Sequence, residues 1–169
     1  ADRDWAAVYK GGGSVLLSDE ALIQDLQRFK DEGYQTTKFK IGGSGAGFSQ
    51  DIRRLEKARR ALGDDFGIAV DANQAWDAKT AFAFAKEAAP FGVAWLEEPV
   101  HAYDMDALRE LRDLLDNAGI VMEIAMGESV RSYHTHVAYA QHGVDHLQPA
   151  RLCCIAENMR VREYARQHG

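Results

Sequence analysis

Three stretches of the chain run apolar and then end on a carboxylate. They are Ile68-Ala69-Val70-Asp71, Val93-Ala94-Trp95-Leu96-Glu97-Glu98-Pro99 and Ile124-Ala125-Met126-Gly127-Glu128. A fourth, upstream, ends Lys38-Phe39-Lys40. If these runs are adjacent parallel strands, their C-terminal ends face one common site. Asp71, Glu97 and Glu128 then converge. Like charges in a partly desolvated place raise one another's pKa or require a cation. An all-oxygen donor set suits a hard divalent ion, Mg²⁺ first. Lys38 and Lys40 are two apart, so on a strand both ammonium groups point the same way. One can neutralise a substrate carboxylate, while the other, its pKa lowered by a metal and the neighbouring cation, serves as a base. Asn73, two residues past Asp71, is expected on the same face, as a neutral oxygen donor or a substrate contact.

The elements that must position these groups alternate in type. Strands are expected at Ala7 to Tyr9, Thr36 to Ile41, Gly67 to Asp71, Val93 to Glu97, Val121 to Met126 and Val144 to Gln148. Most are short apolar runs, the pattern of strands buried on both faces. Helices are expected between and after them: one opened by Ser18 as N-cap and closed by Gly33, then Ser49 to Leu62, Asp77 to Ala88, Met105 to Asn117, Ser132 to Gln141 and Glu157 to Gln167. Six β-then-α units in succession predict a parallel sheet with crossover helices, either an open doubly wound sheet or a (β/α) barrel. A full barrel needs eight units and about 250 residues, so 169 residues fall two units short.

Composition bounds the rest. Apolar residues at 46% and charged residues at 27% describe a globular chain, read as a single domain over residues 1–169. A formal charge of −6 argues against a nucleic-acid partner. There is no apolar run long enough to span a bilayer and no leader at the acidic start Ala1-Asp2-Arg3-Asp4, so a cytoplasmic location is expected. Cys153 and Cys154 are adjacent and give no disulfide framework.

Taken together, Lys38-Phe39-Lys40, Val70-Asp71-Ala72-Asn73, Leu96-Glu97-Glu98-Pro99 and Gly127-Glu128-Ser129 resemble the K-x-K, D-x-N, E-E-P and G-E-[SN] motifs of the enolase superfamily. The Glu at the third ligand position and the K-x-K pair resemble its mandelate racemase/muconate lactonizing enzyme family, in the mandelate racemase subgroup. The resemblance implies a partial TIM-type barrel with Mg²⁺ held by Asp71, Glu97 and Glu128. It implies Lys40 as the base that removes the proton α to a carboxylate, giving an enediolate, with Lys38 as its partner. The implied reaction is dehydration of a sugar acid or racemisation of an α-hydroxy acid, which makes the protein a lyase or a racemase acting on a small carboxylate.

The chain departs from that pattern in several respects, among them Cys153-Cys154 where Gly-Gly is usual. An Asp is normal after Gln-Pro on the sixth strand, where this chain reads Gln148-Pro149-Ala150-Arg151-Leu152-Cys153-Cys154. The capping domain and the last strands of the family pattern are absent from the sequence. An incomplete barrel leaves unpaired edges, so a homo-oligomer or association through those edges is expected. Two other readings stay open: a catalytically inactive metal-binding or structural barrel fragment, and a Schiff-base lysine aldolase using Lys38 or Lys40.

Other residues carry weaker signals. Gly11-Gly12-Gly13 reads as a loop after the first strand. The run from Gly42 to Gly47 lacks the Lys-Ser/Thr of a phosphate-binding loop and reads as an active-site loop. His101, just past Glu97-Glu98-Pro99, is a candidate substrate contact. His134 and His136 fall on different faces of the fifth helix and His142 and His146 flank the sixth strand, so they read as surface or loop residues. Trp76 and Trp95 read as packing residues.

Overall fold

The structure, a computed structural model, describes residues 7–43, 47–149 and 154–168. Six parallel strands lie in one sheet in chain order: β1 (Lys10–Gly12), β2 (Thr36–Lys40), β3 (Gly67–Asp71), β4 (Val93–Glu97), β5 (Ile124–Met126) and β6 (His146–Leu147). Six helices follow them: α1 (Asp19–Asp31), α2 (Ser49–Leu62), α3 (Ala78–Ala88), α4 (Met105–Asn117), α5 (Tyr133–Gln141) and α6 (Ile155–His168). Strand order equals chain order and β1 and β6 are the two edges, so the sheet is a partial β/α barrel rather than a doubly wound sheet. Among the described residues no helix is long and apolar enough to cross a membrane.

Each helix buries one stripe against the sheet. In α1 that stripe is Leu22, Leu26 and Phe29, at the i, i+4, i+7 spacing of one helical face. Ser18 caps it by accepting from the Ala21 N–H. Helix α2 buries Leu55, Ala58 and Leu62 and ends at Gly63 with φ 82°, a left-handed turn that favours glycine. Helix α3 is capped by Asp77, which stands just outside it, and α4 buries Leu108, Leu111 and Leu115. These stripes meet Phe39, Ile68, Val70, Leu96 and Ile124 of the strands in one apolar cluster. Each fully buried Leu or Phe contributes about 1.5–3 kcal/mol relative to exposure.

Several expected boundaries move. The first strand is Lys10–Gly12, not Ala7 to Tyr9, so Gly11 and Gly12 are strand residues rather than loop. The reason is close packing: a Cβ on Gly12 would stand 2.7 Å from Phe29 Cζ. A strand that must let an aromatic ring touch its backbone carries no apolar signature. The fifth and sixth strands are shorter than their apolar runs, and α6 begins at Ile155, two residues before the expected start.

The register between strands positions the site. Lys40 pairs with Asp71 across β2 and β3, and Asp71 pairs with Glu97 across β3 and β4. The second pairing depends on an irregularity: Ile68 sits opposite Val93, yet Val70 sits opposite Leu96. One extra residue on β4 moves Glu97, instead of Leu96, into line with Asp71.

Candidate metal centre and active site

The C-terminal strand ends bring five of the sequence-predicted residues together. Asp71 and Glu97 are fully buried and Glu128 is half-buried. One ligand oxygen from each lies within 4.8 Å of the others. Two oxygens on opposite sides of one octahedral Mg²⁺ stand about 4.2 Å apart. At most one pair of three ligands can lie opposite, and the others stand about 3 Å apart, so the three carboxylates are placed to be drawn together around a single hard cation.

The lysines of β2 meet two of these carboxylates. Lys40 Nζ donates to Asp71 Oδ2 at 2.5 Å, and Lys38 Nζ donates to Asp71 Oδ2 at 3.0 Å and also to Glu97 Oε1. Both ammonium groups thus face the carboxylates, with Lys38 the more deeply buried at 11% exposure against 37% for Lys40. Burial works to lower the Lys38 pKa, but its hydrogen bond to Glu97 and the charges of Asp71 and Glu97 prevail and hold it above the ordinary lysine range. Burial likewise pushes Asp71 up. Lys40 and Lys38, with the Asn73 N–H, outweigh it and hold Asp71 below the usual carboxylate range.

Glu97 has further donors. Trp95 Nε1 donates to Glu97 Oε2 at 3.1 Å, and Gln148 Nε2 donates to the same oxygen at 2.8 Å. Trp95 is thus more than a packing residue. Strand alternation places it on the face of Glu97, and that is the signal that marks it as a partner. Its ring also packs edge-on against Tyr9 at 5.1 Å, and Lys38 Nζ stands 5.8 Å from the Tyr9 centroid. Trp76, by contrast, packs against Phe48 and Phe84.

Beside the lysines opens a cleft of about 950 Å³, lined by Lys38, Lys40, Asn73 and the loops after β1 and β2. Buried side chains of α2 hold those loops in place. Arg54 donates to the Ser14 and Val15 carbonyls at 2.8 and 3.0 Å, and Asp51 accepts the Gly42 N–H at 3.0 Å. Of the glycine run, residues 44–46 lie outside the described residues.

Two expected substrate contacts sit differently from one another. Asn73 lines the cleft, but its φ of 44° is left-handed, so the extended alternation that would align its side chain with Asp71 stops before it. Its backbone N–H, not its side chain, donates to Asp71 Oδ1 at 2.9 Å. His101 is exposed, accepts from the Tyr103 N–H at 3.3 Å and is not part of the cleft lining. Among the other histidines, His136 is fully buried rather than superficial. Its Nδ1 lies 2.9 Å from the Ser132 carbonyl, and its Nε2 lies against Gly127. Cys154 is exposed, while Ala150, Arg151, Leu152 and Cys153, where the family pattern has its Asp, lie outside the described residues.

A parallel β/α sheet with carboxylates on three successive strand ends and paired lysines on the preceding strand defines a class of protein: the enolase-type barrel. The chain belongs to the enolase C-terminal domain-like family, whose signature matches residues 21–169. It is 32% identical over 173 residues to the L-talarate/galactarate dehydratase of Salmonella typhimurium, covering 100% of this chain and 42% of that protein. It is 31% identical over 156 residues to the D-galactarolactone cycloisomerase of Agrobacterium fabrum, covering 90% of this chain and 39% of that protein. Racemases are also among its relatives. The fold superposes on an L-talarate dehydratase from Polaromonas sp. JS666, complexed with Mg and L-glucarate, with a TM-score of 0.87 and 29% identity, over 99% of this chain and 46% of that one. The chain thus spans about two fifths of the length of the curated relatives it matches.

Proposed function

We propose that this chain carries the catalytic strand ends of a Mg²⁺-dependent enzyme that removes the proton α to a carboxylate, with dehydration of a sugar acid as the reaction and racemisation of an α-hydroxy acid as the nearest alternative. The observation that supports the reading is the juxtaposition of Lys38 and Lys40 with Asp71, Glu97 and Glu128 at one end of one sheet. Relatives named as a sugar-acid dehydratase and a racemase, and a solved structure described with Mg and L-glucarate, point the same way.

In this reading Asp71, Glu97 and Glu128 hold the divalent cation. When bound, the cation supplies positive charge that stabilises the negative charge developing on the substrate carboxylate. Lys40, on the cleft side and the more exposed of the pair, takes the α-proton onto Nζ. Lys38, held as an ammonium by Asp71 and Glu97, faces a substrate carboxylate oxygen and fixes its orientation. In a dehydration the β-hydroxyl then leaves as water with the proton that Lys40 Nζ had taken, which returns Lys40 to its neutral form, and the resulting enol becomes the keto acid. Asn73 offers its amide to a substrate hydroxyl from the cleft wall.

Exchange of the α-proton for deuterium tests this, across a panel of sugar acids, with Mg²⁺ and with EDTA. Exchange is expected only with the metal. Lys40→Ala is expected to abolish it while leaving metal binding nearly intact, and Glu97→Gln is expected to weaken metal binding itself. Exchange by Lys40→Ala at the original rate sinks the assignment of the base. Borohydride trapping with a keto acid is expected to give no adduct, and an adduct on Lys38 or Lys40 would favour aldolase chemistry.

A further inference from the structure

One amide side chain links the three loops that follow β3, β4 and β5, the strands that bring the candidate ligands together. Gln74 lies three residues past Asp71 in the loop after β3. Its Nε2 donates to Glu98 Oε2 at 3.1 Å and to Ser129 Oγ at 2.9 Å, and its Oε1 accepts the Ala102 N–H at 2.8 Å. Glu98 is the neighbour of Glu97, and Ser129 is the neighbour of Glu128. The orientation of the amide follows from its partners. A backbone N–H can only donate, so the atom facing Ala102 is the oxygen, and the nitrogen faces the Glu98 carboxyl.

The partners of Gln74 are themselves anchored. The Ala102 carbonyl accepts from the buried Tyr139 hydroxyl of α5 at 2.6 Å. Glu98 is 1% exposed, and its other oxygen has no partner among the described residues. Gln74 and Glu98 both take left-handed backbone conformations, φ 65° and 40°, which side-chain-bearing residues rarely adopt. Their backbones are joined, since the Gln74 N–H donates to the Glu98 carbonyl at 2.7 Å. Such conformations persist only where the surroundings over-determine them.

We infer that Gln74 is a positioning residue that sets the spacing of Asp71, Glu97 and Glu128 for a divalent cation, by holding the loops after β3, β4 and β5 in one arrangement. The inference rests on the reading of those carboxylates as a metal centre. Gln74 touches no ligand oxygen. It acts by removing the freedom of three separate loops before the cation arrives, so that ordering them does not subtract from binding.

The test is Mn²⁺ titrated into the protein, followed by the loss of the free-ion EPR signal, with thermal unfolding measured alongside. Gln74→Met keeps the length of the side chain and removes every hydrogen bond. It is expected to weaken Mn²⁺ binding about 10–100-fold, the range for partners behind metal ligands. Ser129→Ala removes one arm and is expected to cost less, about three- to tenfold. In the double variant the two losses are expected not to add, because both break one bridge. Asp77→Ala, which uncaps α3 and breaks none of the Gln74 hydrogen bonds, is the control: a lower Tm with Mn²⁺ affinity unchanged. A folded Gln74→Met with affinity within about twofold of the original overturns the inference. So does an affinity loss that Asp77→Ala reproduces at the same loss of Tm. If Gln74→Met does not fold, unchanged affinity in Ser129→Ala overturns it instead. Absence of Mn²⁺ binding in the unsubstituted protein overturns the metal reading and the inference together, whereas intact binding there with unchanged variants overturns the inference alone.

Discussion

Trp95 and Glu97, two positions apart on β4, are joined by a 3.1 Å hydrogen bond from the indole N–H to Glu97 Oε2. The same oxygen accepts from Gln148, while the other oxygen accepts from Lys38. A buried carboxylate oriented on both oxygens has little freedom to turn away from a cation.

Trp95→Phe removes the indole donor and keeps an aromatic ring in place. Metal binding, followed by isothermal titration calorimetry, is expected to weaken about tenfold, with a small change in Tm. An unchanged affinity would mean that Gln148 and Lys38 orient Glu97 without help.

Gly127 precedes Glu128 with φ 128°, and a Cβ there would stand 2.7 Å from His136 Nε2 and 3.1 Å from the Gln148 carbonyl oxygen. His136 is fully buried and cannot simply swing into solvent. Gly127→Ala is expected to cost about 1–3 kcal/mol in stability through backbone strain and overpacking. It should also displace Glu128, so urea denaturation and metal titration should both report a loss. A loss of stability with metal affinity retained would show that the turn relaxes on the side away from Glu128.

Phe84 of α3 is fully buried, with its ring 4.9 Å from Trp76 and 5.9 Å from Phe48. Phe84→Ala leaves a cavity beneath the loop that follows β3 and is expected to destabilise the fold by about 3–5 kcal/mol. The midpoint of urea unfolding reads this directly. A cost below about 1 kcal/mol would mean that the aromatic trio collapses into the space.

Asp77 caps α3 by accepting the Thr80 N–H at 2.8 Å, and that hydrogen bond holds its carboxyl below the usual range. A depressed folded-state pKa makes the contribution full above the unfolded value, near 3.9, and lost as pH falls through the folded one. Asp77→Ala is expected to cost about 1 kcal/mol at neutral pH. The gap between the two proteins should narrow as pH drops below about 4, because a protonated carboxyl is the weaker acceptor. Parallel denaturation curves at pH 7 and pH 3 check the sign; a gap that widens in acid would contradict it.

Much of the arrangement was legible from consecutive residues. Period-two alternation placed Lys38 beside Lys40 and Trp95 beside Glu97, and helical spacing placed Leu22, Leu26 and Phe29 on one stripe. Caps and left-handed glycines marked several helix ends, as at Ser18 and Gly63. Order along the chain also placed Asp71, Glu97 and Glu128 on three strand ends, because each apolar run stops where its carboxylate begins. The rule fails where the backbone leaves the extended state, as at Asn73, and where packing needs a residue without a side chain, as at Gly12.

By itself, then, the sequence determined which residues share a face of each element, since that depends only on the repeat of the local backbone. Only the tertiary structure decided which faces meet and in what register. The extra residue on β4 that brings Glu97 opposite Asp71, the reach of Gln74 to Glu98 and Ser129, and the burial of His136 against Gly127 all join residues distant along the chain. Such contacts are set by how strands slide and helices dock, and a shift of one residue in either would undo them.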